Sequence, residues 1–417
     1  MSEKLFSALS IVELLEAQDG KLVGNVSCEA VGHLLAELNN HICKQVLGEA
    51  PGFAIYLGPD NERTNAIKDL YGPTLPINFV LSEMGEEMER AISLFRPDLV
   101  EDAGISSYKF APVEGRTVGQ RPTDDGHMLY VVEPASMAQD TADLYRRKRE
   151  TRQLFSLARR FEMPPELENF IAAHGRKIAL ISHKTIGGKD FVGSGAAKSF
   201  DPRNYLPTLK HLKDEGFQLV HFGREPYPEI YRAFDVIDYA NSPLASFRND
   251  LILASHAGFG LFGSSGISWF AEWMDMPFVM VNMWTIDSPP FSDKAVYLPT
   301  LARDLTSGDL VNFEKQLWFR QEHGVFFPHS VYEATDCSAE DILTATRECL
   351  EMERVGNVAL TENQRRYQET VSAHPTSKQA LSRISAAFAD KHADLMTIEL
   401  ASDDQDAVPM TRAAVSA

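Results

Sequence analysis

The chain has 417 residues, too many for one ordinary core, so two domains are expected. It is 44% hydrophobic and 24% charged, as a water-soluble globular protein is, and no apolar run nears the ~20 residues of a membrane helix. A formal net charge of -19 excludes a broad nucleic-acid-binding face, which needs basic surface, and leaves room only for a local basic pocket of the kind a nucleotide uses.

The start, MSEKLFSALSIVELLEAQDG, is acidic and amphipathic and lacks the basic lead and unbroken apolar stretch of a signal peptide, so a cytoplasmic location is expected. Residues 23–27 read as a strand and 31–47 as a helix. Strands at 53–57 and 77–81 follow, with helices at 61–71 and 86–95. This alternation predicts a mostly parallel sheet covered on both faces. Residues 98–127 read as loops, 128–132 as a strand and 141–160 as a helix whose Arg146, Arg147, Lys148, Arg149 and Arg152 read best as a solvated face. A second alternating series starts at Lys177. It has strands at 178–182, 217–223, 236–240, 259–262 and 278–281 and helices at 205–215, 247–257 and 340–353. Gly216 is placed to cap the first of these helices. Residues 361–373 and 378–397 read as closing helices, and 402–417 as a disordered tail. The expected units are thus 1–170, 171–360, 361–401 and 402–417, with a cleft between two α/β halves where ligands usually bind.

Candidate chemistry clusters at strand ends. Gly263-Ser264-Ser265-Gly266 joins a strand to a helix, so it reads either as a phosphate cradle at a helix N-terminus or as an ordinary turn with a serine cap. Gly32-His33 follows the first strand. His33 is a candidate general base, with Glu37 one helical turn on to orient or replace it, and a capping or core histidine is the alternative. Lys184, in Ser182-His183-Lys184-Thr185, offers a cation to a phosphate or to solvent. The glycines that follow it (Gly187, Gly188, Gly193, Gly195) suit a mobile lid or a plain connection. Gly223 lets the chain turn so that Arg224 projects, and a guanidinium fork suits a diphosphate unless Glu225 or Glu229 holds it. Asp250 can meet a ribose, hold the serine turn or sit on an exposed face. Asn282, Trp284 and Asp287 can wall a pocket or pack a loop.

The scattered Cys28, Cys43, Cys337 and Cys349 form no CxxC pair, which leaves no zinc signature and no disulfide framework, and Cys28 reads as a buried thiol. No GxSxG, HExxH or Walker A motif is present, and no DxD falls between a strand and a loop; the Asp124-Asp125 and Asp403-Asp404 pairs sit in irregular segments.

Five segments carry a resemblance: Gly32-His33-Leu34 with Ala36-Glu37, Asp201 to Pro207, Gly223-Arg224, Val236 to Ala240, and Gly263 to Gly266 through Pro277 and Asn282. They resemble a bacterial glycosyltransferase family of GT-B architecture associated with surface-carbohydrate and secondary-metabolite gene clusters. The last segment is more distantly similar to the donor half of heptosyl- and fucosyltransferases. The resemblance is strong over 177–300 and weaker over 20–60. It implies two Rossmann-like doubly wound domains facing a central cleft, the first for an acceptor and the second for a nucleotide-diphosphate sugar.

On that basis His183, Lys184, Gly223, Arg224, Asp250, Gly263, Ser264, Ser265, Gly266 and Asn282 are the expected donor residues, and His33 with Glu37 the catalytic ones. The sequence departs from the related families at His183-Lys184-Thr185, where an arginine is expected at Thr185, so Lys184 or Arg224 would have to supply that charge. The expected function is metal-independent, inverting sugar transfer to a small-molecule or glycan hydroxyl. No cofactor is expected beyond the nucleotide sugar, and no nucleic-acid partner. A GT-B-type sugar-nucleotide epimerase and an inactive nucleotide-binding protein are the alternatives.

Overall fold

The computed structural model describes residues 3–28, 30–105, 108–109, 118–122, 128–151, 164–174, 177–184, 197–199, 201–323, 327–356 and 358–396. Helix α1 (Glu3–Ala17) leads into β1 (Lys21–Gly24), α2 (Val31–Val46), β2 (Ala54–Gly58), α3 (Glu62–Tyr71), β3 (Asn78–Leu81), α4 (Gly85–Phe95) and β4 (Val100–Asp102). The four strands form one parallel sheet in the order β3-β2-β1-β4. Asn61 starts α3 with a reciprocal capping box to Thr64, which fixes where the helix leaves β2. A Cβ on Gly85 would lie 1.9 Å from the Gly58 carbonyl oxygen, so only glycine lets the first turn of α4 approach the end of β2.

The 98–127 region carries more structure than its composition suggests. β5 (Tyr108–Lys109), β6 (Val118–Pro122) and β7 (Met128–Val132) form an antiparallel sheet in the order β5-β7-β6. Strands this short, interrupted by Gly and Pro, leave too few alternations to read. Helices α5 (Pro134–Glu150) and α6 (Pro165–His174) follow.

The second half runs β8 (Ile178–Ser182), α7 (Leu206–Asp214), β9 (Gln218–His221), α8 (Phe247–His256), β10 (Phe259–Gly263), α9 (Trp269–Met274), β11 (Phe278–Met283) and β12 (Ala295–Pro299). Next come β13 (Leu301–Asp304), α10 (Phe313–Leu317), α11 (Phe319–His323), β14 (Tyr332–Thr335), α12 (Ala339–Val355), α13 (Glu362–Val371), β15 (Arg383–Ile384) and α14 (Ala386–Lys391). The main sheet has the order β15-β12-β11-β10-β8-β9, with all pairs parallel, while β13 and β14 form a separate antiparallel pair. β8, β10, β11 and β12 are buried along their whole length, as strands covered on both faces must be.

Three sequence expectations change here. The expected strand at 236–240 is a single parallel bridge from Ile237 to Val220. The expected helix at 378–397 is broken by β15, which joins the main sheet, so 361–401 is not a purely helical appendix. Lys148 does not lie on a solvated face. It is buried, with its ammonium 4.5 Å from the centre of the Phe291 ring. Gly216 does follow α7, at φ +82°.

The halves are welded by α2 and α3 against α8 and α9. The Trp273 indole N–H donates to the Leu35 carbonyl (2.9 Å), and its ring stands edge-on to Tyr71 at 4.8 Å. The Glu62 carboxylate accepts from the Phe247 N–H at the start of α8 (2.7 Å). Residues of both halves, Leu34 and Tyr71 with Phe270 and Trp273 among them, belong to one continuous apolar core. Among the described residues no helix is long and apolar enough to cross a membrane.

Trp273 therefore tests the weld. Trp273→Ala should cost about 3–5 kcal/mol in denaturant unfolding. It should also split the unfolding transition in two, as the halves lose their shared core. A single transition at unchanged midpoint would show that the halves are coupled elsewhere.

Candidate active-site cleft

With the Ile237 bridge counted as the outermost strand, the second half has the connectivity of a doubly wound sheet whose direction of winding reverses between β8 and β10. Ligands of such sheets bind in the crevice beyond the strand ends at that reversal. Three expected segments lie there: Ser182 to Lys184 after β8, Gly223-Arg224 after β9, and the turn after β10.

Gly223 has φ +110°, and a Cβ on it would lie 2.9 Å from Ile267 Cδ1 and 3.2 Å from Ser182 Oγ. The chain can turn there only because the residue is glycine. Arg224 emerges exposed at the rim. Ser265 precedes a short helical turn, Gly266–Ser268, that runs into α9. No side chain caps this start, and the Ser265 carbonyl accepts from the Ser268 N–H (3.2 Å) and hydroxyl (2.9 Å). The serine-cap reading of this turn is thus replaced by an uncapped one.

The first half roofs this crevice. α2 begins at Ala30, which makes no side-chain cap, and Gly32 sits directly on the turn. A Cβ on Gly32 would fall 2.7 Å from Gly266 Cα, and one on Gly266 would fall 2.9 Å from Gly32 N. The two backbones meet with no room for a side chain on either.

His33 follows, solvent-accessible within the cleft. The protein mass around it, and secondarily the Lys198 ammonium, hold its pKa below the usual imidazole value. Lys198 comes from the second half and is held from both sides. Thr300 Oγ1 donates to the Ala197 carbonyl (2.9 Å), and Asn282 Nδ2 to that of Ser199 (3.3 Å). Sequence reasoning missed Lys198, because a lone lysine after a glycine-rich stretch carries no spacing signal.

The structure therefore brings His33, Lys184, Gly223, Arg224, Ser265 and Gly266 to one cleft, and turns the other expected residues inward. Glu37 is fully buried; its carboxylate accepts from the Ser27 N–H (2.6 Å) and the Ile105 N–H (3.2 Å), so it pins loops and does not serve as a second base. His183 is buried against His221 and Tyr231, and burial pushes its pKa down to about 3. Gly263 and Ser264 are buried at the end of β10. The Ser264 N–H is spent on the Val281 carbonyl and its hydroxyl sits against the Trp284 backbone (3.4 Å).

Asn282, at φ +49° and fully buried, donates to Ser199 and Asp336 and accepts from the Cys337 N–H (2.9 Å), which makes it a brace for two loops. Asp250 is buried and accepts from the Tyr239 hydroxyl (3.0 Å). Burial pushes it up to about 7, with Arg224 nearby opposing the rise. Asp287 is buried, paired with Arg320 at 3.5 Å. The glycine-rich stretch at 187–195, Thr185 and Arg152 lie outside the described residues, as does the tail. Among the described residues no group of three or more His, Cys, Asp or Glu side chains could hold a metal ion.

The sequence matches no protein-family model and no curated protein. Solved structures similar to it include the ADP-heptose lipopolysaccharide heptosyltransferase II of E. coli, with 13% identity and a TM-score of 0.43 over 81% of this chain and 100% of that one. The E. coli heptosyltransferase WaaC, solved with ADP, has 11% identity and a TM-score of 0.35 over 73% of this chain and 98% of its own. A glycosyl transferase family 9 protein of Veillonella parvula has 15% identity and a TM-score of 0.31 over 78% and 81%.

The buried His183 beneath the cleft gives a pH prediction. Its folded pKa of about 3 lies below the ordinary value of 6.5, so between these the unfolded chain binds more protons and stability falls as pH drops. At pH 5 this one group should cost the fold about 2 kcal/mol relative to pH 7.5. Denaturant titrations at the two pH values should show His183→Phe losing that much less than the parent. Equal losses in both proteins would mean that the imidazole titrates normally.

Proposed function

We propose that the protein is a glycosyltransferase that moves a sugar from a nucleotide-diphosphate donor to an acceptor hydroxyl. The observation that carries this reading is the juxtaposition at the winding reversal. Lys184, Arg224 and an uncapped helix start from one half face His33 from the other, across a contact of two glycine backbones. The motif resemblance over residues 177–300 supports the same reading.

The chemistry follows from the groups. His33 takes the acceptor proton, and its lowered pKa keeps the imidazole neutral at neutral pH, which is the form that can accept one. The acceptor oxygen attacks the anomeric carbon, the bond from that carbon to the diphosphate oxygen breaks, and the nucleoside diphosphate leaves with the negative charge. Arg224, Lys184, Lys198 and the N–H groups at Ser265 and Gly266 stabilise that charge, an electrostatic role that fixed dipoles and cations fill without reorganisation. A single displacement of this kind inverts the anomeric centre, and the cationic side chains fill the place that a metal takes in other transferases.

A thermal-shift panel of UDP, GDP, dTDP and ADP tests the donor site, since a ligand at 100 times its Kd should stabilise by about 2.7 kcal/mol. No shift with any of them would remove the reading. His33→Ala should lower kcat by about 10²–10⁴ with little change in nucleotide affinity, and should remove the acid limb of the pH-rate profile, which lies below the ordinary imidazole value. Retained activity would mean another base. EDTA should leave turnover intact, and loss with rescue by Mg²⁺ would overturn the metal-independent step. Donor converted without any acceptor would mark an epimerase.

A further inference from the structure

Arg224 reaches the rim of the cleft uncommitted. Among the described residues it forms no hydrogen bond and no ion pair, and the Glu229 carboxylate is taken by Arg232 (3.1 Å). Behind the turn that carries it lies a small aromatic cluster. Phe222, two residues before Arg224, is stacked on Tyr239 (ring centroids 6.4 Å apart, planes at 18°) and stands edge-on to Phe270 (5.3 Å). Phe247, at the start of α8, packs on the same Phe270 ring (5.8 Å). Asp250 lies one helical turn on from Phe247. It is 7% exposed, and the hydroxyl of the fully buried Tyr239 donates to its Oδ1 (3.0 Å). The carboxylate thus stands in the wall behind the Arg224 turn.

A carboxyl group in that place is held between opposing influences. Burial pushes it up to about 7, and the Glu62 carboxylate adds to the rise, while the Tyr239 hydroxyl and the Arg224 guanidinium favour the charged form. Arg224 acts on the Tyr239 phenol as well, so the guanidinium lies within electrostatic reach of both members of the pair. Glu62 comes from the other half, where α3 meets α8, and is anchored on the Phe247 N–H (2.7 Å). Among the described residues these are the charged and titratable groups that act on Asp250. On α3, Arg63 is turned onto the Cys28 carbonyl (3.0 Å), and Lys68 and Asp69 are exposed. On α9, the one titratable side chain, Glu272, takes the N–H groups of Phe291 and Ser292.

We propose that Asp250 is the counter-charge of Arg224 before a donor binds, and that a diphosphate on Arg224 takes over that role, so that donor binding draws one proton from solvent onto the Asp250 carboxylate. This rests on the glycosyltransferase reading and adds a proton to its binding step. The reason is local charge balance. The guanidinium carries one positive charge, and a diphosphate diester brings two negative charges to it. The field at Asp250 then turns against the carboxylate, and behind a buried wall such a field is weakly screened. A group that holds its proton more tightly in the complex than in the free protein takes one up on binding. Affinity is then greatest below the free-state value of about 7 and falls as pH rises through it. Asp250 is a positioning residue in this scheme, since it acts through Arg224.

The probes are UDP-glucose, GDP-mannose, dTDP-glucose and ADP-glucose, whose phosphates are both esterified and do not titrate near neutrality. Each is added to the full chain in a calorimeter. A probe that binds should do so about tenfold more tightly at pH 6 than at pH 8.5. At pH 7.5 its binding heats in HEPES and in Tris should differ by the uptake of about half a proton. Asp250→Asn keeps an oxygen for the Tyr239 hydroxyl and should lose both effects while still binding. Tyr239→Phe removes only the hydroxyl that favours the carboxylate, so it should move the fall in affinity to higher pH; it carries the test if the first variant does not fold. A pH dependence that persists in Asp250→Asn belongs to His33 or another group and overturns the proposal, as does an unmoved profile in Tyr239→Phe. Binding without proton uptake removes the coupling alone and leaves the transferase reading. Uptake without sugar transfer to any acceptor removes the transferase reading and leaves the coupling. No binding of any of the four at millimolar concentration removes both.

Discussion

The contact of Gly32 with Gly266 sets the geometry on which the rest of the cleft depends. Two helices from different halves start at the same place, and neither start is covered by a side chain. Each leaves N–H groups without intrahelical partners, and each dipole turns its positive end toward the junction. Any residue larger than glycine at either position would part the backbones. That would move His33 away from the turn it faces. The close approach of the two helix starts is therefore set by what is missing from two residues.

Around that junction the polar residues divide into those left open and those already spent. Glu37 and Asn282 illustrate the second group: each is buried and hydrogen-bonds loop backbone, Asn282 the Asp336 carboxylate as well. Their loops lead to the half-buried Lys198 and to the exposed His33. Asn282 braces Ser199 next to Lys198, and Glu37 holds Ser27 in the segment that delivers Gly32 and His33. A site on loops needs such fixings, since a loop has no ladder of its own to hold it.

The legible part of the fold was the part with long periods. The alternating helices and strands of both halves, and the turn after β10, follow from apolar runs ended by small residues. The unread parts were short or depended on partners distant in sequence. β15 has two residues and is a strand only because β12 lies beside it. Lys148 sits among Arg146, Arg147 and Arg149 and looks solvated, yet tertiary contact buries it under Phe291. The same limit applies to the site. Spacing placed His33, Gly223 and the glycine turn correctly at strand ends, but it could not tell which polar neighbour faced the cleft. Glu37 stands one turn from His33 and still points to the loops. Nor could spacing show that a Cβ on Gly266, within the expected phosphate cradle, would meet the backbone of Gly32.

A net charge of -19 says little about either side of the cleft. The cations that matter there are few and sit where strands end: Lys184 after β8, Arg224 after β9, and Lys198 held by the ends of β11 and β12. Carboxylates occupy the matching edge of the other sheet, from the first turns of α3 and α4. Acidic residues in a first helical turn are favoured by the helix dipole whatever the function, so their presence alone carries no meaning. Their facing does. α3 meets α8 across the junction, with Glu62 on the Phe247 N–H, and Glu62 and Arg224 both act on the buried Asp250, so acidic and cationic groups lie side by side there. Within one Debye length, ~8 Å at physiological salt, such fields are felt by a ligand and by the group next to it. At this edge the two halves thus meet with charges of both signs, and the field there is mixed and not sorted by half.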